Sequence, residues 1–258
     1  MSKIKIEKDK LSNFLKLISL ANDIENKEAL IDVDETGIKC LAVSGDKSLG
    51  LRATLKHPFT KLGQVGLDQL PTIKKVVNSI DKDFDIEFSK NKFIVRIAKT
   101  TVWFPLKNAE YILNKLDEDK FSNRLKETEK GISFTLSKEA VAEIVKKFNL
   151  VGSSALVLKV KDGVLTIKVK NYTNEVELET EIDLEKSKKN FNVKIGKNFV
   201  DLISLIGEEV TVSLAEDTPS ALAVEYSGKD FLYTYLVALV DNKEEAPKET
   251  VKREKVNA

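Results

Sequence analysis

Lysines on four predicted helices are the side chains whose type and spacing could do chemistry. The four helical segments, residues 8–22, 68–82, 137–149 and 194–206, add up to a net charge of +5, whereas the whole chain of 258 residues carries +1. A single lysine-bearing helix is ordinary. If all four helices face the same side, however, their lysines form a surface that neutralises phosphates without reading bases, as in sequence-independent binding of a duplex.

The sequence offers little for catalysis or metal binding. Its single histidine, His57, stands in a predicted turn, with no Cys, Asp or Glu at the spacing of a metal site or a catalytic triad. The single cysteine, Cys40, excludes an internal disulfide and is typical of a small buried residue in a strand. Neither a phosphate-binding loop, nor a dinucleotide-binding glycine motif, nor an HExxH zinc motif occurs. We therefore expect no active site, no metal and no cofactor.

The order of elements follows from hydrophobic periodicity and turn residues. In residues 134–170, a strand leads to Ser137, a suitable helix cap, and then to a helix whose apolar residues recur at spacings of three and four. Two alternating strands follow around Asp162 and Gly163, which is a strong hairpin signal. The lysines of this helix lie on the side away from the apolar stripe.

The first half of the chain repeats this unit. Each half then continues with a second strand and a second helix. The apolar stripes of the two second helices align at a near-constant offset, pairing Leu70 with Phe199, Ile73 with Leu202 and Val77 with Ile206. This pattern predicts an internal duplication of about 125 residues. The predicted fold class is α+β, with two duplicated domains that each combine antiparallel sheets with two helices.

Domain boundaries follow from charge and from the loss of pattern. The two repeats are predicted at residues 1–105 and 131–241, and residues 106–130 read as a long, charged connector. Residues 242–258 are charged and nearly free of apolar residues, which predicts a disordered tail. No apolar run approaches the roughly 20 residues that cross a bilayer, and the N-terminus lacks a secretory pattern. We therefore expect a cytoplasmic protein that does not bind membranes.

With this element order, two motifs resemble segments of the sliding clamps of replicative DNA polymerases. They are KTTVWFP at residues 99–105, directly before the connector, and FLYTYLVALVD at residues 231–241; residues 134–170 are similar as well. These segments look most like the T-even bacteriophage type of clamp. Cellular and archaeal clamps share the fold and are the alternative within the family. The resemblance covers nearly the whole chain.

The resemblance implies the DNA-clamp fold, assembled as a homotrimeric ring with helices lining the hole and sheets on the outside. In that family, an ATP-driven loader closes the ring on primed double-stranded DNA, and the ring tethers the polymerase. The clamp is not an enzyme, and a viral one acts in the host cytoplasm. The DNA-facing residues carried over to this chain are Lys10, Lys16, Lys74, Lys75, Lys138, Lys146, Lys147 and Lys197.

The resemblance implies two further sites. Partner peptides of the family dock in an apolar pocket between the domains, expected here at Val43, Leu116, Pro219, Tyr235, Val237 and Ala238. Subunits join edge to edge, which here pairs residues 99–104 of one copy with residues 174–182 of the next. The interface residues are then Thr101, Trp103, Val176, Leu178 and Thr180. Two other interpretations stay open: a non-ring α+β module that binds DNA through an incidental basic face, and an enzyme with an unrecognised site.

Overall fold

Two domains of the same design share one sheet. The computed structural model describes residues 4–20, 28–89, 91–113, 115–171, 176–183, 191–215 and 220–240. The helices of domain 1 are α1 (Lys8–Leu20) and α2 (Leu70–Asn78). Its strands are β1 (Ile4–Ile6), β2 (Ala29–Asp34), β3 (Gly37–Val43), β4 (Leu49–Lys56), β5 (Gly63–Leu67), β6 (Phe84–Ser89), β7 (Lys92–Ile97) and β8 (Thr100–Asn108).

A connector with its own structure leads to domain 2. It consists of a short 3-10 turn (Ala109–Tyr111) and helix α3 (Glu118–Glu129). The helices of domain 2 are α4 (Lys138–Val151) and α5 (Lys197–Ile206). Its strands are β9 (Ile132–Leu136), β10 (Ala155–Lys161), β11 (Val164–Asn171), β12 (Val176–Asp183), β13 (Phe191–Gly196), β14 (Val210–Leu214), β15 (Ala221–Ser227) and β16 (Phe231–Val240). The predicted tail, residues 242–258, lies outside the described residues.

The two domains have the same strand order, which confirms the predicted duplication. Domain 1 pairs its strands in the order β1-β6-β7-β8-β5-β2-β3-β4, and domain 2 in the order β9-β14-β15-β16-β13-β10-β11-β12. The strand pairs are antiparallel. Thus β4 corresponds to β12, β8 to β16 and α1 to α4.

The pairing registers match residue by residue. Cys40 lies opposite Ala53 in domain 1, and its counterpart Ile167 lies opposite Thr180 in domain 2. The same comparison along the other ladders and helices gives the remaining counterparts. They are Leu51 with Leu178, Ala53 with Thr180, Val102 with Tyr235, Lys16 with Lys146 and Leu17 with Lys147.

The domains meet strand to strand within the chain. β4 pairs with β16, with Leu51 opposite Tyr235, so one sheet runs through both domains. Tyr235 is fully buried, and its hydroxyl donates a hydrogen bond to the backbone oxygen of Leu17 on α1 at 3.2 Å. Asn198 on α5 donates to Ser48 Oγ in domain 1 at 2.8 Å. The hydrophobic core of one domain therefore continues into the other.

The four domain helices pack on one side of the sheet, called here the helix side. Strand side chains alternate between the two faces, and along β4 the helix-side residues Leu51, Ala53 and Leu55 are fully buried. The opposite face is the outer side. Local signals act as expected at α4, because Ser137 Oγ accepts from Ala140 N at 3.2 Å and Gly152 ends the helix at a φ of +63°.

The connector is more ordered than its composition suggests. β8 continues past the predicted domain end at residue 105 to Asn108, and Pro105 lies on the stretch of β8 that is paired on one side, where proline is tolerated. Asp117 then caps α3 by accepting from Lys120 N at 3.1 Å. Helix α3 buries Phe121 and Leu125 against the outer side of domain 2. The domains are thus bridged on both faces of the sheet.

Candidate nucleic-acid interface

The domain helices lie side by side in the order α2, α1, α5, α4. Helix α1 contacts α2 within domain 1, α4 contacts α5 within domain 2, and α1 contacts α5 across the junction. Ser12 Oγ on α1 donates to Asn78 Oδ1 on α2 at 2.6 Å. Their exposed faces therefore form one continuous surface, as the sequence analysis required for a phosphate-binding face.

Positive charge is spread unevenly over this surface. Helices α1 and α2 each carry two more cationic than anionic residues, and α4 carries one more. Helix α5 is neutral, since it holds only Lys197 and Asp201, and Lys194 belongs to β13 instead. The positions in α5 that correspond to Lys74 and Lys75 are taken by Ile203 and Ser204. The expectation of four basic helices is thus wrong for α5.

Four of the eight predicted DNA-facing lysines are free cations. They are Lys16, Lys74, Lys75 and Lys146, and within the described ranges none of them has an ion-pair partner. Lys16 and Lys146 are exposed and occupy corresponding positions on α1 and α4. Lys75 is exposed and Lys74 half-buried on α2. These ammonium groups could meet phosphates without first giving up a carboxylate.

The other four predicted lysines already have acidic partners. Lys10 bridges the domain junction to Asp230 at 3.1 Å, and that carboxylate raises the pKa of Lys10. Lys138 pairs with Glu208 at 2.8 Å, which raises its pKa in the same way. Lys197 stands 3.7 Å from Asp201. Lys147 pairs with Glu143 at 2.6 Å and also contacts β12. Sequence spacing could not identify the partners of Lys10 and Lys138, because Asp230 and Glu208 lie far away in the chain. Asp201 and Glu143 lie four residues from their lysines.

The predicted partner-pocket residues divide between the two faces of the sheet. Val43, Leu116 and Ala238 are half-buried and belong to the outer side. Tyr235 and Val237 instead face the helix side and are buried in the core, at 0% and 1% exposed. The prediction that these two residues line a partner pocket is therefore wrong, because neither presents its side chain on the outer side. Pro219 lies outside the described residues.

The connector packs over the outer side where that pocket was expected. A Cβ at Gly50 would lie 3.2 Å from Leu116 and 3.4 Å from Phe121, so the glycine makes room for the connector. Arg52 stacks its guanidinium over the Phe121 ring at 5.6 Å. Phe121 and Leu236, which sequence reasoning missed, form a small apolar cluster here. The outer side at this position is thus covered largely by α3.

A groove of about 460 Å³ lies beside this cluster at the domain junction. Its lining includes Arg52 on β4, Thr211 on β14, Glu225 on β15 and Thr234 on β16. These side chains are polar. The lining also contains Tyr226, Leu232 and Tyr233, so the groove is partly polar and partly apolar.

The assignment of Val237 and Ala238 to opposite faces makes a prediction. Val237→Thr places a hydroxyl in the core and should lower the free energy of unfolding by about 2 kcal/mol. The matched change Ala238→Thr, one residue further and on the outer side, should shift it by less than about 0.5 kcal/mol. Urea unfolding of both variants measures the difference. Equal shifts would contradict the assigned register of β16.

Strands β12 and β8 have open edges in the described part of the chain, as do β1 and β9 at the far ends of the two domain sheets. β12 pairs with β11 on one side, and residues 100–105 of β8 pair with β7 on one side. Thr101 and Trp103 are exposed, and Lys92 Nζ lies 4.5 Å from the centre of the Trp103 ring. Leu178 and Thr180 are half-buried on β12, which also contains Val176. The five predicted interface residues thus lie on these two edges.

Neither a metal site nor a membrane helix is evident in the part of the chain that the structure describes. Among the described residues, no three His, Cys, Asp or Glu side chains come together as a metal site. No helix in those ranges is long and apolar enough to cross a membrane. Cys40 is fully buried, and burial raises the pKa of its thiol well above the usual range.

Known structures share this architecture, although no protein-family model and no curated protein sequence matches the chain. Proliferating cellular nuclear antigen from Entamoeba histolytica matches with a TM-score of 0.68 and 13% identity, over 93% of this chain and 98% of that one. The A. fulgidus protein of the same name, bound to the C-terminal region of FEN-1, matches with a TM-score of 0.72 and 14% identity. This match covers 95% of this chain and 100% of that one. The DNA polymerase sliding clamp from Bacillus subtilis matches with a TM-score of 0.66 and 14% identity, over 94% of this chain and 65% of the longer bacterial one. These likenesses confirm the predicted α+β DNA-clamp fold.

Proposed function

We propose that the chain is a sliding clamp, a closed ring of three copies that encircles duplex DNA and tethers a replicative DNA polymerase. The observation that carries this proposal is the repeat and its open edges. Within the chain, β4 of domain 1 pairs with β16 of domain 2. The counterparts of these strands, β12 and β8, each have an open edge. Strands β1 and β9 are also paired on one side, but they are counterparts of each other and take no part in the domain junction.

The domain junction supplies the register of the contact between copies. We assume that β12 of one copy pairs with β8 of the next in the way that β4 pairs with β16 within the chain. Each residue of a β4–β16 pair is then replaced by its counterpart in β12 or β8. The register then runs from Ala98 opposite Ile182 to Phe104 opposite Val176. Its central pairs are Lys99 with Glu181, Thr100 with Thr180, Thr101 with Glu179 and Val102 with Leu178.

The transferred register is chemically consistent. Lys99 would face Glu181, an opposite charge, and Val102 would face Leu178, an apolar partner, and such cross-strand pairs stabilise a sheet. The two edges differ, so the contact is head to tail, and head-to-tail contacts form a ring when the rotation closes. Closure with three copies rests on the family resemblance, in which six domains complete the circle.

The ring brings the helix side of every copy to the centre. Lys16, Lys74, Lys75 and Lys146 would then line the hole and balance the phosphates of a duplex without reading bases. Helix α5 would face the DNA without an unpaired lysine, since its Lys197 stands beside Asp201. Retention on DNA would depend on topology, and the lysines would mainly govern loading and sliding.

The remaining parts of the proposal concern partners and origin. We expect a scaffold and not an enzyme, loaded by an ATP-driven clamp loader. Binding of partner peptides is supported by the clamp-fold neighbour that is bound to the C-terminal region of another protein. We propose the outer side around α3 as the place where polymerase peptides would bind. The motifs at residues 99–105 and 231–241 support a T-even phage type, acting in the host cytoplasm. A cellular or archaeal type is the alternative.

A designed disulfide tests the ring and its register together. Thr101→Cys with Glu179→Cys should, on oxidation, link each copy to the next and give a covalent trimer of about 87 kDa, three times 28.9 kDa. In the slipped control, Thr101→Cys with Thr180→Cys, the second cysteine points to the other face and should not cross-link. Non-reducing gels and light scattering provide the readout. A 28.9 kDa species throughout would contradict the proposal.

A further inference from the structure

Lys147 on α4 directs its ammonium into the chain. Its Nζ donates to the backbone oxygen of Glu179 at 2.7 Å and to Thr180 Oγ1 at 2.8 Å, and it pairs with Glu143 Oε1 at 2.6 Å. An ammonium has three N–H donors, so these three acceptors use all of them. Two of the acceptors belong to β12, a strand with an open edge. Helix α4 thus contacts the edge strand mainly through Lys147, and Glu143 on the same helix also accepts a longer hydrogen bond from Thr180 Oγ1 at 3.4 Å.

Domain 1 provides an internal comparison, because its corresponding strand β4 already has β16 beside it. There the position of Lys147 is taken by Leu17 and that of Thr180 by Ala53, and both are buried. The polar contact between helix and strand therefore occurs at the open edge and is replaced by apolar packing at the closed junction. The two domains share one fold, so this difference between a polar and an apolar contact correlates with whether the strand is paired on one side or on both.

A strand that is paired on one side only can fray. If it is frayed, ordering it costs free energy when a second strand binds. The contacts of Lys147 fall on Glu179 and Thr180. In the transferred register these two residues lie opposite Thr101 and Thr100 of the next copy. The lysine therefore fixes the part of β12 that the neighbouring strand must meet.

We infer that Lys147 is a positioning residue for assembly, which holds β12 in the register that β8 of a second copy needs, and that it is not a phosphate-binding lysine. This inference rests on the proposed function, since it requires β12 to pair with another copy. The adjacent Lys146 is exposed and remains a DNA-facing candidate.

The closed junction also shows what would cover Lys147 in the ring. Tyr235 of β16 reaches the Leu17 backbone on α1 there. The counterpart of Tyr235 is Val102, so an apolar side chain of the next copy would come to lie beside Lys147. Because the ammonium has its acceptors within its own domain, this contact would leave no donor unpaired.

Two neighbouring substitutions separate assembly from DNA contact. Lys147→Met keeps the length of the side chain and removes its donors, and Lys146→Met is the matched control on the exposed face. We expect Lys147→Met to raise the concentration for half-assembly roughly tenfold, because charge-assisted hydrogen bonds that order the edge are lost. Lys146→Met should change it less than about twofold and should slow loading on DNA. Sedimentation over a dilution series and thermal unfolding provide the readouts.

The outcomes distinguish the two claims. A wild-type chain that never assembles overturns the proposed function and this inference together. Wild-type assembly with an unchanged half-assembly concentration in Lys147→Met overturns the inference alone, even if the unfolding midpoint falls, because that result describes a residue needed only for the fold of one copy. Recovery of assembly in Lys147→Arg, which keeps charge and donors, supports it.

Discussion

The Leu178→Pro variant is expected to stay folded and to sediment as a 28.9 kDa monomer at concentrations where the wild-type chain forms trimers. Leu178 lies in the middle of β12, which has one strand neighbour in the chain and would have two in the ring. Proline is tolerated on an edge strand but not in the centre of a sheet, where both sides must pair. The substitution therefore acts mainly on the assembled state.

Leu178→Val is the control, since it keeps the backbone donor and suits a strand. It should assemble like the wild-type chain. Circular dichroism of both variants checks that the fold survives. A trimer of unchanged mass in Leu178→Pro would show that the copies meet through other surfaces.

Reversing free lysines of the helix side should have the second large effect. Lys74→Glu with Lys146→Glu changes a trimer by about 12 charge units, two for each residue in each copy. Association with DNA steered by charge can change by 10-fold or more with such reversals. We expect loading on nicked circular DNA to slow by at least about tenfold, while the solution mass remains that of a trimer.

The control reverses the same number of charges on the other face. Lys159 and Lys161 are exposed on β10 at outer-side positions, and the pair Lys159→Glu and Lys161→Glu changes the trimer equally. Loading should then slow less than about threefold, because these residues would lie outside the ring and partly screened from the DNA. Equal slowing by both pairs would mean that net charge matters and that the helix side has no special role.

The repeat could be predicted from the sequence because helix packing imposes a period on it. Each stripe must present apolar residues every three or four positions to the same sheet, so Leu70 and Phe199 could be aligned without a structure. Ser137 and Gly152 also mark the ends of α4 through local rules. These features depend on residues close together in the chain.

Which side chains of β16 point to the helix side and which point to the outer side could not be predicted. Its sequence, FLYTYLVALV, is apolar on both faces because the core covers the helix side and α3 covers part of the outer side. Such a strand loses the alternation that reveals its orientation, so its sequence does not show that Tyr235 and Val237 face the core. Helix α3 was missed for a related reason, since Phe121 and Leu125 are its only large buried apolar residues.

The pairing of the lysines was also beyond sequence reasoning. Lys146 and Lys147 are adjacent and identical, yet one is a free cation and the other holds β12. The decisive partners of Lys147 lie more than 30 residues away. A long side chain can reach several acceptors, and only the assembled sheet selects among them.

Retention on circular and linear DNA tests the central claim most directly. The Thr101→Cys and Glu179→Cys chain is mixed with nicked circular DNA, oxidised to lock the ring, and washed in about 1 M salt, where screening acts within about 3 Å. Locked rings should remain on the circle and leave once a single cut makes it linear. Equal loss of oxidised protein from circular and linear DNA would contradict the account of this chain as a clamp.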